Sequence, residues 1–159
     1  ALLVHRLDRD TSGVMIFAQT GYAQRVLSMQ FEKRQVKKTY VARVSGVVMQ
    51  RSGLIDLPLV VDWENRPRQM VCHETGKRAL TEWYKLTSSE NESRLRLLPK
   101  TGRSHQLRVH CMAFGHPIIG DPIYGESIVH RRMMLHSEEL KVNHPESGFG
   151  LRFRSKAPF

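Results

Sequence analysis

Two short segments concentrate the side chains that could do chemistry. The first is His5-Arg6-Leu7-Asp8-Arg9-Asp10-Thr11-Ser12-Gly13, a crowd of ionisable groups directly ahead of an apolar run. Charges at the start of a strand sit at a sheet edge or cleft, where loops hold functional groups. A solvated charged turn is the competing reading of the same residues. The second segment is Lys100-Thr101-Gly102-Arg103-Ser104-His105-Gln106-Leu107-Arg108-Val109-His110. A turn leading into a helix start suits phosphate, through free backbone N–H groups together with Arg103 and His105. Arg108 lies five residues beyond Arg103 and points to a different side of the helix. One arginine could hold a nucleic-acid backbone while the other reaches inward. A basic surface helix explains the spacing equally well.

Other chemistries fail on spacing. His105 and His110 are badly placed for two ligands on one helix face, and His130, His136 and His144 are scattered, so no metal is expected. Ser12 and Ser104 lack the GxSxG elbow of a hydrolase. Neither GxGxxG nor GxxxxGK[ST] occurs, and Gly76-Lys77 reads as a turn. Tyr22, Phe31 and Phe114 are assigned to the core rather than to base stacking. Tyr40 is a strand tyrosine whose hydroxyl could face core or cleft.

The elements that must position these groups follow from apolar periodicity. Ser12 to Thr20 reads as a buried strand, and Thr20 caps a helix running to Lys33 on Tyr22, Ala23, Val26, Leu27 and Phe31. Lys38 to Ser45 is a strand with Tyr40, Ala42 and Val44 on one face. Pro58 interrupts Leu54 to Val61, which places that stretch at an edge. Gln69 to His73 is a further short strand. Ala79 to Thr87 and Arg94 to Leu98 form a hairpin. Ser104 to Phe114 is a second helix, ended by Gly115 and Pro117. Met133 to Val142 and Leu151 to Phe153 complete the strands. Short strands outnumber helices, so the expected class is α+β with a mixed, largely antiparallel sheet.

The chain has 159 residues, one domain's length, with 25 Lys plus Arg against 15 Asp plus Glu and a net charge of +10. That excess favours a polyanion as partner, with nucleic acid ahead of membrane. No apolar run is long enough to span a bilayer and no signal peptide is visible. Cys72 and Cys111 are isolated and read as reduced thiols of a cytoplasmic protein.

Taken together, the segments resemble the RluA family of RNA pseudouridine synthases. His5-Arg6-Leu7-Asp8 with Thr11-Ser12-Gly13 matches the family's HRLDxxTSG. Lys38-Thr39-Tyr40 matches its Lys-x-Tyr strand, and Gly102 to His110 its GRxHQ[LI]RxH. Gly115-His116-Pro117-Ile118-Ile119-Gly120-Asp121 matches GHPIxGD, and Leu135-His136 a later LH element. Asp56 to Leu59, Asp62 to Pro67 and Glu74 to Lys77 are closest to the RluA subgroup, whose members act on stem-loops in tRNA and large-subunit rRNA.

The resemblance implies the pseudouridine synthase fold, with a bent sheet and a cleft bearing Asp8. It makes Asp8 the catalytic aspartate and Arg108 the arginine paired with it. Tyr40 becomes the tyrosine that stacks on uracil and is a candidate for removing the C5 proton. Arg6 would fill the space left by the flipped uridine. His5, Lys38, Arg103, His105 and Gln106 would lie at the RNA surface, and Leu135 would be an apolar wall. No cofactor is implied, and the expected enzyme is a monomer. Family members carry a further stretch before HRLD, so upstream strands, or an S4-type RNA-binding domain, are expected outside this chain.

The chemistry agrees. The C1′–N1 bond must break, the base turn, and C1′ join C5, with one proton leaving C5 and one reaching N1. The uridine must leave the stack, at a cost of a few kcal/mol, and a group must fill the hole. An ionised carboxylate beside the ribose can act as nucleophile or base, and a neighbouring arginine keeps it ionised and oriented. The alternative is a non-catalytic RNA-binding module on the same scaffold. A pure binder gains nothing from a carboxylate held near phosphates.

Overall fold

The computed structural model describes residues 1–126 and 132–159. His130 lies outside the described residues.

The apolar run from Ser12 to Thr20 does not form one strand. Three short strands occupy the beginning of the chain: β1 (Leu2–Leu3), β2 (Ser12–Gly13) and β3 (Phe17–Ala18). β1 and β3 pair antiparallel, while β2 lies parallel to a late strand, with Ser12 opposite His136 and Gly13 opposite Ser137. Gly13 accounts for the break. Its φ is 116°, and a Cβ there would stand 2.1 Å from the Ser137 carbonyl oxygen. Only glycine lets the two backbones meet this closely.

Thr20 caps α1 (Gly21–Glu32), its Oγ1 accepting the Ala23 N–H at 3.1 Å. Leu27 is buried, with Ala23 and Phe31 packed on the same cluster. Tyr22, expected in the core, is 51% exposed. The inward stripe instead takes Gln30, whose Nε2 donates to the Asn143 carbonyl and whose Oε1 accepts the Asn143 N–H. A buried amide is tolerated there because both its ends are bonded. The helix closes in a Schellman turn: the Arg34 N–H reaches the Phe31 carbonyl and the Gln35 N–H the Gln30 carbonyl. Arg34 has φ 58° in the left-handed position that glycine usually fills, at a cost of roughly 1–2 kcal/mol.

The remaining strands are β4 (Lys37–Ser45), β5 (Ser52–Asp56), β6 (Leu59–Val61), β7 (Gln69–Val71), β8 (Leu80–Ser88), β9 (Glu92–Pro99), β10 (Leu135–Asn143) and β11 (Gly150–Arg154). A seven-stranded sheet runs β11-β10-β4-β9-β8-β5, with β2 beside the first residues of β10. Every pairing in it is antiparallel except that of β2, so the class is α+β with a mixed, mainly antiparallel sheet. Pro58 falls between β5, the sheet's outer strand, and β6, which pairs with β7 in a separate hairpin.

β4 lies inside the sheet and alternates as expected. Ala42 and Val44 enter the main core with Trp83, Leu95 and Leu97, and Tyr40 packs against it. The second helix, α2 (Gln106–Ala113), closes this core with Leu107 and Cys111. It starts two residues later than Ser104 because His105 takes a left-handed conformation, φ 55°. A bulge in β10 sets Ser137 opposite Tyr40 but Glu139 opposite Thr39. Bulges of this kind re-aim side chains beside functional sites.

Candidate active site

The loop before β2, the start of β4, the Gly102–His105 turn with α2, and the start of β10 converge on a cavity of about 470 Å³. Asp8, Tyr40 and Arg108 line it. So do His5, Arg6, Lys38, Arg103, His105, Gln106 and Leu135. Every residue that the resemblance singled out therefore faces one space.

Asp8 is held in a turn closed by the Thr11 N–H on its carbonyl at 3.0 Å, and its side chain is 30% exposed. Arg108 is buried and reaches it from α2, Nη1 donating to Asp8 Oδ2 at 3.1 Å. The rest of the guanidinium is taken up by Asp121: Nε donates to Oδ2 and Nη2 to Oδ1, both at 2.8 Å. Asp121 Oδ1 also accepts the N–H groups of Ile123 and Tyr124, at 2.9 and 3.1 Å. Burial opposes both charges. For Arg108, the bonds and charges of Asp121 and Asp8 outweigh it and push the pKa up. For Asp121, the Arg108 bond and the two backbone N–H groups outweigh it and hold the carboxyl below the usual range. The unit is an aspartate, an arginine and a second, deeper aspartate, fixed by charge-assisted bonds.

Sequence reasoning gave Asp121 no role, although the residue closes the GHPIIGD stretch. Its signal is an acid standing alone in the turn-rich run Gly115 to Gly125.

Tyr40 is pushed up to about 12 by burial and then by the charge of Asp8, against a bond with Ser137. It is a neutral phenol near pH 7. His5 stacks flat on Phe31, 4.5 Å between ring centres and 12° between planes. Its Nε2 accepts the Ile16 N–H at 2.9 Å, and burial, then the charge of Lys38, lowers its pKa to about 4. The neutral ring therefore carries its proton on Nδ1. Phe31, assigned to the core, also lines the cavity beneath this stack.

His105 has Nδ1 2.6 Å from the Tyr124 hydroxyl oxygen, which accepts the Gln69 N–H at 2.7 Å. Burial is the main force lowering the His105 pKa. Arg6 is exposed at the rim, and Arg103 donates from Nε to the Arg78 carbonyl at 3.0 Å. Leu135 is a buried wall shared with the main core.

Gln106 is a wall rather than a free hand. Its Oε1 accepts from Thr101 Oγ1 and the Arg103 N–H, and its Nε2 donates to the Leu80 carbonyl and Thr81 Oγ1. The helix start is correspondingly less open to phosphate than expected. The Arg103 N–H is taken by Gln106, and the Gln106 N–H by the Arg103 carbonyl. Among the described residues, no three His, Cys, Asp or Glu side chains are grouped to hold a metal, and no helix is long and apolar enough to cross a membrane.

Comparison with known proteins points the same way as the geometry. A family described as RNA pseudouridylate synthase matches residues 1–113. The dual-specificity RNA pseudouridine synthase RluA of Yersinia pestis is 51% identical over 160 residues, spanning 98% of this chain and 78% of its own. The Escherichia coli (strain K12) protein of the same name is 49% identical over 160 residues, spanning 98% and 73%. The solved structure of human RNA Pseudouridylate Synthase Domain Containing 1 superposes with a TM-score of 0.86 at 31% identity, covering 99% of this chain and 69% of that one. A matched family over most of the length, close relatives and a shared fold lead to one conclusion: the chain belongs to the RNA pseudouridylate synthase family.

Proposed function

We propose that this protein isomerises uridine to pseudouridine in stem-loops of tRNA and large-subunit rRNA, with Asp8 as the catalytic carboxylate. The observation that carries this reading is the Asp8–Arg108–Asp121 unit, which holds one partly exposed carboxylate beside Tyr40 in a cavity with cationic walls. The name of the close relatives, dual-specificity RNA pseudouridine synthase, fits more than one RNA substrate.

Asp8 would act on the ribose or on the ring as the C1′–N1 bond breaks, with Arg108 orienting it. Tyr40 would lie against the uracil. A phenol held near 12 takes up the C5 proton only as its own proton leaves, and Asp8 is the neighbouring carboxylate able to receive it. Arg6, at the exposed rim, would fill the stack vacated by the flipped base. His5, Lys38, Arg103 and His105 would face the flanking RNA, with Gln106 and Leu135 shaping the wall. A monomer in a reducing cytosol suits the unpaired thiols Cys72 and Cys111.

The test is tritium release from C5-labelled uridine in tRNA and large-subunit rRNA transcripts, for this chain and for Asp8→Asn. Asp8-dependent release is the expected result. RNA binding that is equal in the two proteins, with release from neither, would favour the non-catalytic module.

A further inference from the structure

The cavity at Asp8 is also lined by two cations whose charges nothing in the fold balances. They are Arg34 and Lys38. Among the described residues neither is ion-paired. Lys38 has one hydrogen-bond partner, the Thr101 carbonyl, at 3.4 Å, and the Arg34 guanidinium has none. Burial, then the charge of Arg34, lowers the Lys38 pKa, so the two cations disfavour each other where they stand. Glu32 lines the same cavity and is bonded to neither.

Arg34 is the more telling residue. It occupies the left-handed position of the Schellman turn, φ 58°, where glycine would relieve the strain. A strained residue that stability would replace, and whose side chain enters a cavity, points to a ligand. Two cations facing one space, neither of them paired with a carboxylate, call for an anion.

We infer that Arg34 and Lys38 form a subsite for a backbone phosphodiester flanking the uridine bound at Asp8. Phosphate between them would bring the missing negative charge and accept donors from both side chains. The inference rests on the proposed function for the identity of the anion, but not for its existence.

Arg34→Gly separates the two roles open to the residue. Glycine suits the turn, so the thermal midpoint should stay level or rise. RNA affinity should fall about tenfold, the size of a lost charged hydrogen bond. The slope of log affinity against log salt should flatten by about one phosphate contact. Lys38→Met should flatten it similarly, and Arg34→Lys should restore most of the affinity. Binding is read by titration with the tRNA and rRNA transcripts, and turnover by tritium release from the same samples. Unchanged affinity and slope in Arg34→Gly and Lys38→Met would overturn the subsite. Absence of tritium release from the parent would overturn the catalytic reading alone, since the salt slopes remain measurable without turnover.

Discussion

Asp121 grips Arg108 with both carboxylate oxygens at 2.8 Å, through Nε and Nη2, and turns Nη1 toward Asp8 at 3.1 Å. The buried pair sets the angle at which the arginine meets the Asp8 carboxylate. Asp121→Asn removes one charge of that pair and leaves Arg108 buried with only Asp8 to balance it. Losing one partner of a buried ion pair costs about 3–5 kcal/mol. Urea unfolding should show a loss of that order. Tritium release per folded molecule should fall as well, because Arg108 is no longer held in register. A variant that unfolds at the parent's midpoint would mean the pair is not the anchor described.

Tyr40→Phe separates the two uses of the ring. The phenyl ring keeps the flat face proposed to lie against uracil and loses only the hydroxyl, which feels the charge of Asp8 and bonds Ser137. If the hydroxyl moves the C5 proton, release should drop by about 10²–10⁴ while RNA affinity stays within a few-fold. A loss confined to affinity would make Tyr40 a stacking surface and place the proton transfer elsewhere.

The parts of the site legible in the sequence are those whose partners lie in dense local motifs. Asp8 and Arg108 could be named as a pair only through the resemblance that two crowded segments a hundred residues apart carry; residue types and spacing alone left a solvated turn and a surface helix equally open. The Thr20 cap was legible because its acceptor and donor are three residues apart. Asp121 was not, since its role comes from a guanidinium on another element and its own neighbours are apolar or turn residues. Gln30 was missed for the same physical reason: the groups that make its burial tolerable belong to Asn143, at the far end of the sheet. Tyr22, the residue periodicity favoured, faces water. Periodicity registers which residues are apolar, and long-range hydrogen bonds decide which polar ones go inside.

The histidines predict an acid-side loss of stability. His5 falls from 6.5 to about 4 on folding, mainly through burial, and His105 and His110 are lowered too, again mainly by burial. A depressed pKa means that the folded state prefers the neutral ring. The resulting stability is complete above about pH 6.5 and is lost as pH falls toward about 4. Urea midpoints measured from about pH 7.5 to about pH 4 should therefore decline, and more steeply for the parent than for His5→Gln. Parallel curves would show that His5 carries no part of the decline.

Gly13→Ala should be among the most damaging single-carbon additions to the fold. Two glycines with positive φ make the comparison. Gly148 has φ 76° with nothing within 4 Å of the place a methyl carbon would take, so alanine there costs only its backbone conformation, roughly 1–2 kcal/mol. Gly13 has φ 116°, and its added carbon would meet the Ser137 carbonyl oxygen at 2.1 Å, a contact with backbone that no rotamer change relieves. β2 must then part from β10, which breaks the Ser12–His136 hydrogen bond of 2.8 Å and the Val14 N–H bond to Ser137. The total should exceed the Gly148 cost and reach about 3 kcal/mol or more. The damage also falls next to the chemistry, because the Asp8–Thr11 turn leads directly into β2 and Ser137 lies opposite Tyr40 of β4. Gly13→Ala should therefore lower tritium release even at temperatures where it remains folded, whereas Gly148→Ala should cost stability alone. Equal effects of the two substitutions on unfolding and on turnover would mean that the close approach of β2 to β10 does not position Asp8.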